Sequence, residues 1–125
     1  MKSSFFALIL LLTFFSSCEK DDTTENENVN TDYAISIDEE FNVELIANHT
    51  TGYSWEWTNS NKIDIVENTD KSYIIDNPEL SGSGGKEIWI FKGVKKGLDT
   101  IKMEYNQSWT PDSTIDSKTI VVEVK

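Results

Sequence analysis

The chain has 125 residues, with 11 lysines, no arginine and 22 acidic residues, giving a net charge of −11. An acidic chain without arginine lacks the basic patches that nucleic acid and anionic lipid headgroups require, so neither is an expected partner. Its one cysteine, Cys18, excludes an intrachain disulfide, and its one histidine, His49, leaves no zinc-ligating set and no base for a serine nucleophile.

The first element in the chain is an address. Lys2 precedes an apolar run from Phe5 to Phe15, which is shorter than the roughly 20 residues a membrane-spanning helix needs. It has the length of a signal-peptide core, so residues 1–17 are read as a signal peptide. Small residues Ser16 and Ser17 lead into Cys18, a pattern that resembles the lipobox of bacterial lipoproteins and implies lipid attachment at Cys18. The alternative is an incidental thiol near a cleavage site. Loss of the signal leaves 10 lysines against 22 acids, or −12. Residues 18–32, rich in Thr, Glu, Asn and Asp, carry too little apolar surface to repay ordering and read as a disordered acidic tether. Within them Lys20-Asp21-Asp22 resembles the surface-export signal of Bacteroidetes lipoproteins, or is plain solvated charge. The implied location is outside the cytoplasm, lipid-anchored to the cell envelope, at the outer membrane or on its surface.

Residues 33–125 have the length of one small domain. Apolar residues alternate with polar ones along Tyr33, Ile35 and Ile37, then Phe41, Val43, Leu45 and Ala47, then Tyr53, Trp55 and Trp57. The period of two continues through Ile63 and Ile65, and through Tyr73 and Ile75. Ile88 and Ile90 follow, with Trp89 and Phe91 on the opposite face. Ile101, Met103 and Tyr105, then Ile120, Val122 and Val124, complete the pattern. Such alternation buries one face of a strand and wets the other. Turn-rich breaks separate the runs, and none of the runs has a helical period. About seven short strands predict an all-β fold, an immunoglobulin-like antiparallel β-sandwich. The tryptophans at 55, 57 and 89 are assigned to the core or the sheet faces.

Three of the breaks carry more than turn chemistry demands. They are Asn48-His49-Thr50-Thr51-Gly52-Tyr53-Ser54-Trp55, Gly82-Ser83-Gly84-Gly85, and Tyr105-Asn106-Gln107-Ser108-Trp109-Thr110-Pro111. In such a sandwich, loops joining alternate strand pairs gather at one end, so these three are expected to share a tip. Gly52 would supply the positive φ of a sharp loop. The second loop lacks bulky side chains, so its backbone can lie against another chain. A phosphate-binding role for its glycines fails, because a strand and not a helix follows.

Together the three segments resemble the loops of chagasin and its bacterial relatives, inhibitors of papain-family cysteine peptidases. Asn48 to Trp55 is similar to the family's Asn-Pro-Thr-Thr-Gly-aromatic-x-Trp loop, residues 82–85 to its Gly-x-Gly-Gly loop, and Tyr105 to Trp109 to its aromatic-x-Arg-Pro-Trp loop. His49 stands where the family has proline, and Gln107-Ser108 where it has Arg-Pro. The resemblance implies a reversible competitive inhibitor, a monomer without cofactor or metal and without catalytic residues. Its peptidase-binding residues would be Asn48, Thr50, Thr51, Gly52, Tyr53, Gly82, Ser83, Gly84, Gly85, Gln107 and Trp109. Thr50 and Thr51 would sit beside the catalytic thiolate–imidazole pair, and Trp109 would be the aromatic anchor. The rival readings are a carbohydrate- or protein-binding module, with Trp109 and Tyr53 stacking on sugar rings, and a spacer domain.

Overall fold

The structure is a computed structural model and describes residues 29–125; the signal segment 1–17, Cys18 and the tether up to residue 28 lie outside the described residues. Seven strands occur among them: β1 Tyr33–Ile35, β2 Glu40–Ala47, β3 Ser54–Trp57, β4 Val66–Ile75, β5 Gly85–Gly93, β6 Gly97–Asn106 and β7 Asp116–Val124. They form two sheets, one ordered β1-β7-β6-β3 and the other β2-β5-β4. This is the expected sandwich. The two sheets close over Phe91, Ile101, Met103, Ile120, Val122 and Val43, all essentially inaccessible to solvent.

One pairing departs from the antiparallel pattern. β1 runs parallel to β7, with Tyr33 opposite Val122 and Ile35 opposite Val124. A parallel neighbour needs a long crossover connection, and here the connection is the rest of the domain. The alternating runs translate into burial along most strands. β2 alternates strictly, with Phe41, Val43, Leu45 and Ala47 inside. On β5 the face bearing Trp89 and Phe91 is the buried one, and Ile88 and Ile90 lie half-covered outside.

Ile63 and Ile65 are buried yet belong to no strand. The Ile65 carbonyl accepts the N–H groups of Val94 and Lys95 at 2.8 and 3.3 Å, so a turn occupies the position a ladder partner would take. β4 is largely exposed. It is a ten-residue edge strand, whereas β3, an edge of the other sheet, has only four residues.

The free edge of β2 is blocked by side chains of the opposite sheet. Tyr33 Oη donates to Asn42 O and Trp55 Nε1 donates to Ile46 O, both at 3.0 Å. Backbone groups at an open edge otherwise invite another strand. These bonds also fix where β2 ends, and therefore where the first of the three loops begins.

Candidate functional site

The connections β2–β3, β4–β5 and β6–β7 all lie at one end of the sandwich, and side-chain contacts join them. The first loop forms a single 3₁₀ turn over His49–Thr51. Asn48 builds it: its Oδ1 accepts from the Thr50 N–H at 3.0 Å and from Thr50 Oγ1 at 2.6 Å. Its carbonyl accepts from the Thr51 N–H at 3.2 Å and from Thr51 Oγ1 at 2.6 Å. Asn is favoured at a helix N-cap for this reason. Gly52 closes the turn at φ 79°, a left-handed conformation that costs other residues energy. Both threonine hydroxyls thus spend their protons inside the loop, and outward they offer only acceptor lone pairs.

Asn48 also reaches sideways. Its Nδ2 donates to Gly82 O at 3.2 Å, and its backbone N–H donates to Tyr105 Oη at 2.8 Å. The second loop is ordered by Ser83, whose hydroxyl accepts from Asn77 N–H and donates to Gly84 O, both at 3.1 Å. Gly82 has φ 78° and is exposed. Gly84 lies beside Asn48, 4.0 Å from its Cβ by the position a side chain would take. Gly85 is different. It is buried as the first residue of β5, paired with Ala47 and Ile75, and a Cβ there would collide with Ile74 O at 2.1 Å. The structure therefore gives Gly85 to the sheet, as a close backbone approach, and leaves Gly82 to Gly84 at the tip.

The third loop leans on the first from the other side. Gln107 Nε2 donates to Thr51 O at 3.3 Å. Trp109 lays the edge of its indole over Gly52, where a Cβ would come within 2.4 Å of Cη2, yet 68% of the residue stays exposed. Ser113 holds the loop closed by accepting from Gln107 N–H and donating to Gln107 O, both at 2.9 Å. Tyr53 lies within 5.5 Å of Tyr105, which stacks in turn on Trp55 at 5.2 Å, so an aromatic column supports the loops from beneath. Trp109 thus shares a pole with Thr50 and Gly84.

Two residues not singled out from the sequence, Glu87 and Lys71, support the first loop from inside the sandwich. Glu87 is inaccessible to solvent. Its Oε2 accepts from Trp55 N–H at 2.9 Å and lies 3.1 Å from His49 Nε2. Its Oε1 accepts from Trp89 Nε1 at 3.2 Å and lies 3.2 Å from Lys71 Nζ. His49 stacks on Tyr73 with centroids 3.8 Å apart. Burial alone would raise the carboxyl pKa of Glu87, but the Trp55 N–H, His49 and Lys71 outweigh it and hold the group below the usual carboxylate range. The available signal was Glu87 sharing a face with Trp89 and Phe91 in an alternating run.

With the geometry in place, comparisons with known proteins place the chain. A family model described as Chagasin family peptidase inhibitor I42 matches residues 34–124, nearly the whole described domain. The chain belongs to the chagasin family of peptidase inhibitors. It is 31% identical over 106 residues to Amoebiasin-1 of Entamoeba histolytica, covering 82% of this chain and 97% of that protein. Its fold matches that of a cysteine protease inhibitor from Entamoeba histolytica, EhICP2, with a TM-score of 0.60 and 24% identity over 75% of this chain and 88% of that one. It also matches the solution structure of Amebosin, with a TM-score of 0.56 and 31% identity over 79% and 91% of the two chains. Family members are inhibitors, and the chain is not an enzyme.

Proposed function

We propose that the protein inhibits papain-like cysteine peptidases reversibly and competitively, by inserting the three-loop tip into the active-site cleft. The observation that carries this reading is the contact of the first loop with both others, through Asn48 to Gly82 and through Thr51 and Gly52 to Gln107 and Trp109. The turn at Thr50-Thr51 is the central wedge. Its hydroxyl oxygens, with their protons already committed to Asn48, can accept hydrogen bonds from an imidazolium in the cleft. To block without being turned over, the tip must hold no scissile carbonyl in line with the peptidase nucleophile. Gly82 to Gly84 would lie along one cleft wall by backbone contact. The exposed Trp109 indole would supply the anchor on the other side. Lipid on Cys18 and export to the cell envelope belong to the same proposal, supported by the signal-like run and the small residues before the cysteine.

The test is titration of the protein lacking residues 1–18 against papain with a fluorogenic peptide. Competitive inhibition is expected, weakened by Trp109→Ala by at least about 2 kcal/mol, the range of interface hot spots, and weakened also by Thr50→Ala. Failure of the unmutated protein to inhibit any papain-like enzyme would refute the reading. Metabolic labelling with a fatty acid, abolished by Cys18→Ala, tests the anchor separately.

A further inference from the structure

The threonine turn is gripped from inside by one carboxylate oxygen. Glu87 Oε2 receives the side chain of His49, where the turn begins, and the backbone N–H of Trp55, just after the turn ends. Residues 49 and 55 bracket Thr50, Thr51 and Gly52, so a single atom on the central strand β5 fixes both flanks of the wedge. An ionised carboxylate only accepts, so His49 Nε2 must carry the proton that faces it. The other oxygen is filled by Trp89 Nε1 and Lys71 Nζ, and Lys71 also sits 4.4 Å over the Trp89 ring. Tyr73 flanks the imidazole by stacking, and its hydroxyl receives the His49 N–H at 3.4 Å. Four donors match the four lone-pair sites of a buried carboxylate, which is then held in one orientation.

We infer that His49 and Glu87 are positioning residues for inhibition: they hold the threonine turn in its binding conformation before any peptidase arrives. In this chain the side-chain latch does the work that a proline ring would do at position 49. The backbone accepts either device. Asn48 is extended, at φ −132° and ψ 97°, outside the helical region that a following proline disfavours. Position 49 is the first of the 3₁₀ turn, where proline is tolerated at a helix start. Of the hydrogen bonds made by the backbone at position 49, only the long 3.4 Å bond from the N–H would be lost. The inference rests on the tip being the inhibitory surface, but it concerns the free protein and can be tested there.

The full-length chain in detergent is compared with His49→Ala, His49→Pro, Glu87→Gln and the double variant. In the free protein, exchange of the Thr51 and Gly52 amides, which close the turn onto Asn48 O and His49 O, should quicken about tenfold in His49→Ala through local opening. It should return to the wild-type rate in His49→Pro. Against papain, a turn that is competent only part of the time lowers apparent affinity by that fraction, so association should slow about tenfold with dissociation nearly unchanged. His49→Pro should restore association. Glu87→Gln should slow association by a similar factor, and should cost much less in the His49→Pro background than in the wild type.

Unchanged amide exchange in His49→Ala would overturn the inference. So would an effect confined to dissociation, or an equal cost of Glu87→Gln in both backgrounds. Should Glu87→Gln fail to fold, the two His49 variants decide alone, since that side chain is partly exposed. If the unmutated protein inhibits no papain-like enzyme, the inhibitory reading falls while the exchange measurements still judge the latch.

Discussion

Gly52→Ala probes the contact between the first and third loops, and Gly82→Ala is its reference. Both glycines have φ near +79°. An alanine at either site carries the left-handed penalty of about 1–2 kcal/mol, partly offset by about 0.4–1 kcal/mol from a less flexible unfolded chain. A net loss of roughly 1 kcal/mol of stability is therefore expected at each. At Gly82 nothing stands within 4 Å of the added carbon, so strain is the whole cost. At Gly52 the carbon would lie 2.4 Å from Trp109 Cη2, far inside the roughly 3.5–4.0 Å at which carbons pack.

The Trp109 ring is mostly in solvent and can swing away, so the additional stability cost should be only a few tenths of a kcal/mol, about two or three carbon contacts' worth. What changes is where the indole points. Urea denaturation should place the two variants within about 0.5 kcal/mol of each other. Papain titration should show Gly52→Ala losing at least about tenfold in affinity, or about 1.4 kcal/mol. In a Trp109→Ala background Gly52→Ala should add no more than the strain measured at Gly82. Trp109 is the exposed tryptophan among four, so acrylamide quenching reports its displacement directly. Equal quenching in wild type and Gly52→Ala, with full inhibition retained, would refute the packing of Trp109 on Gly52.

Glu87 makes stability acid-sensitive, and the sign follows from its lowered pKa. A carboxyl depressed on folding contributes stability above its unfolded value, near 4.5, and loses it as pH falls through the folded one. The denaturation midpoint should therefore drop as pH falls below that value, when the His49 and Lys71 contacts no longer face a charge. Glu87→Gln should be less stable at neutral pH and flatter over the acid range, and an unchanged slope in the variant would count against it. A second pair of glycines separates sheet from tip. Gly85→Ala should cost at least about 2–3 kcal/mol, because its carbon meets the Ile74 carbonyl inside the ladder. Gly84→Ala should stay within about 0.5 kcal/mol, its nearest contact being an ordinary 3.7 Å. Denaturant titration of both variants checks the register of β5.

The two-sheet architecture and the shared tip could be read from residue order because alternation and turn chemistry are local signals. Asn48, Gly52 and Trp109 advertise themselves by type. Glu87 does not, since an acid between Lys86 and Ile88 looks like surface; only its parity with Trp89 and Phe91 places it inside. Three of its four donors come from β3, β4 and the first loop, so no window of sequence contains the network. Ile63 and Ile65 have the spacing of a strand and the burial of one, but the turn after β5 takes the Ile65 carbonyl. The β1–β7 partnership is equally hidden, because it joins segments almost ninety positions apart. Gly85 illustrates a motif split by function: it reads as one with Gly82 and Gly84, yet the sheet claims it.

That first-to-last partnership has a consequence for biosynthesis. Until Asp116–Val124 are made, Tyr33–Ile35 have no strand to pair with and β6 has nothing along one flank. A growing polypeptide cannot close the sandwich early, and contacts so distant in sequence form slowly. Premature stop codons within Asp116–Val124 should therefore be as damaging as lesions in the hydrophobic centre, although they remove no residue of the tip.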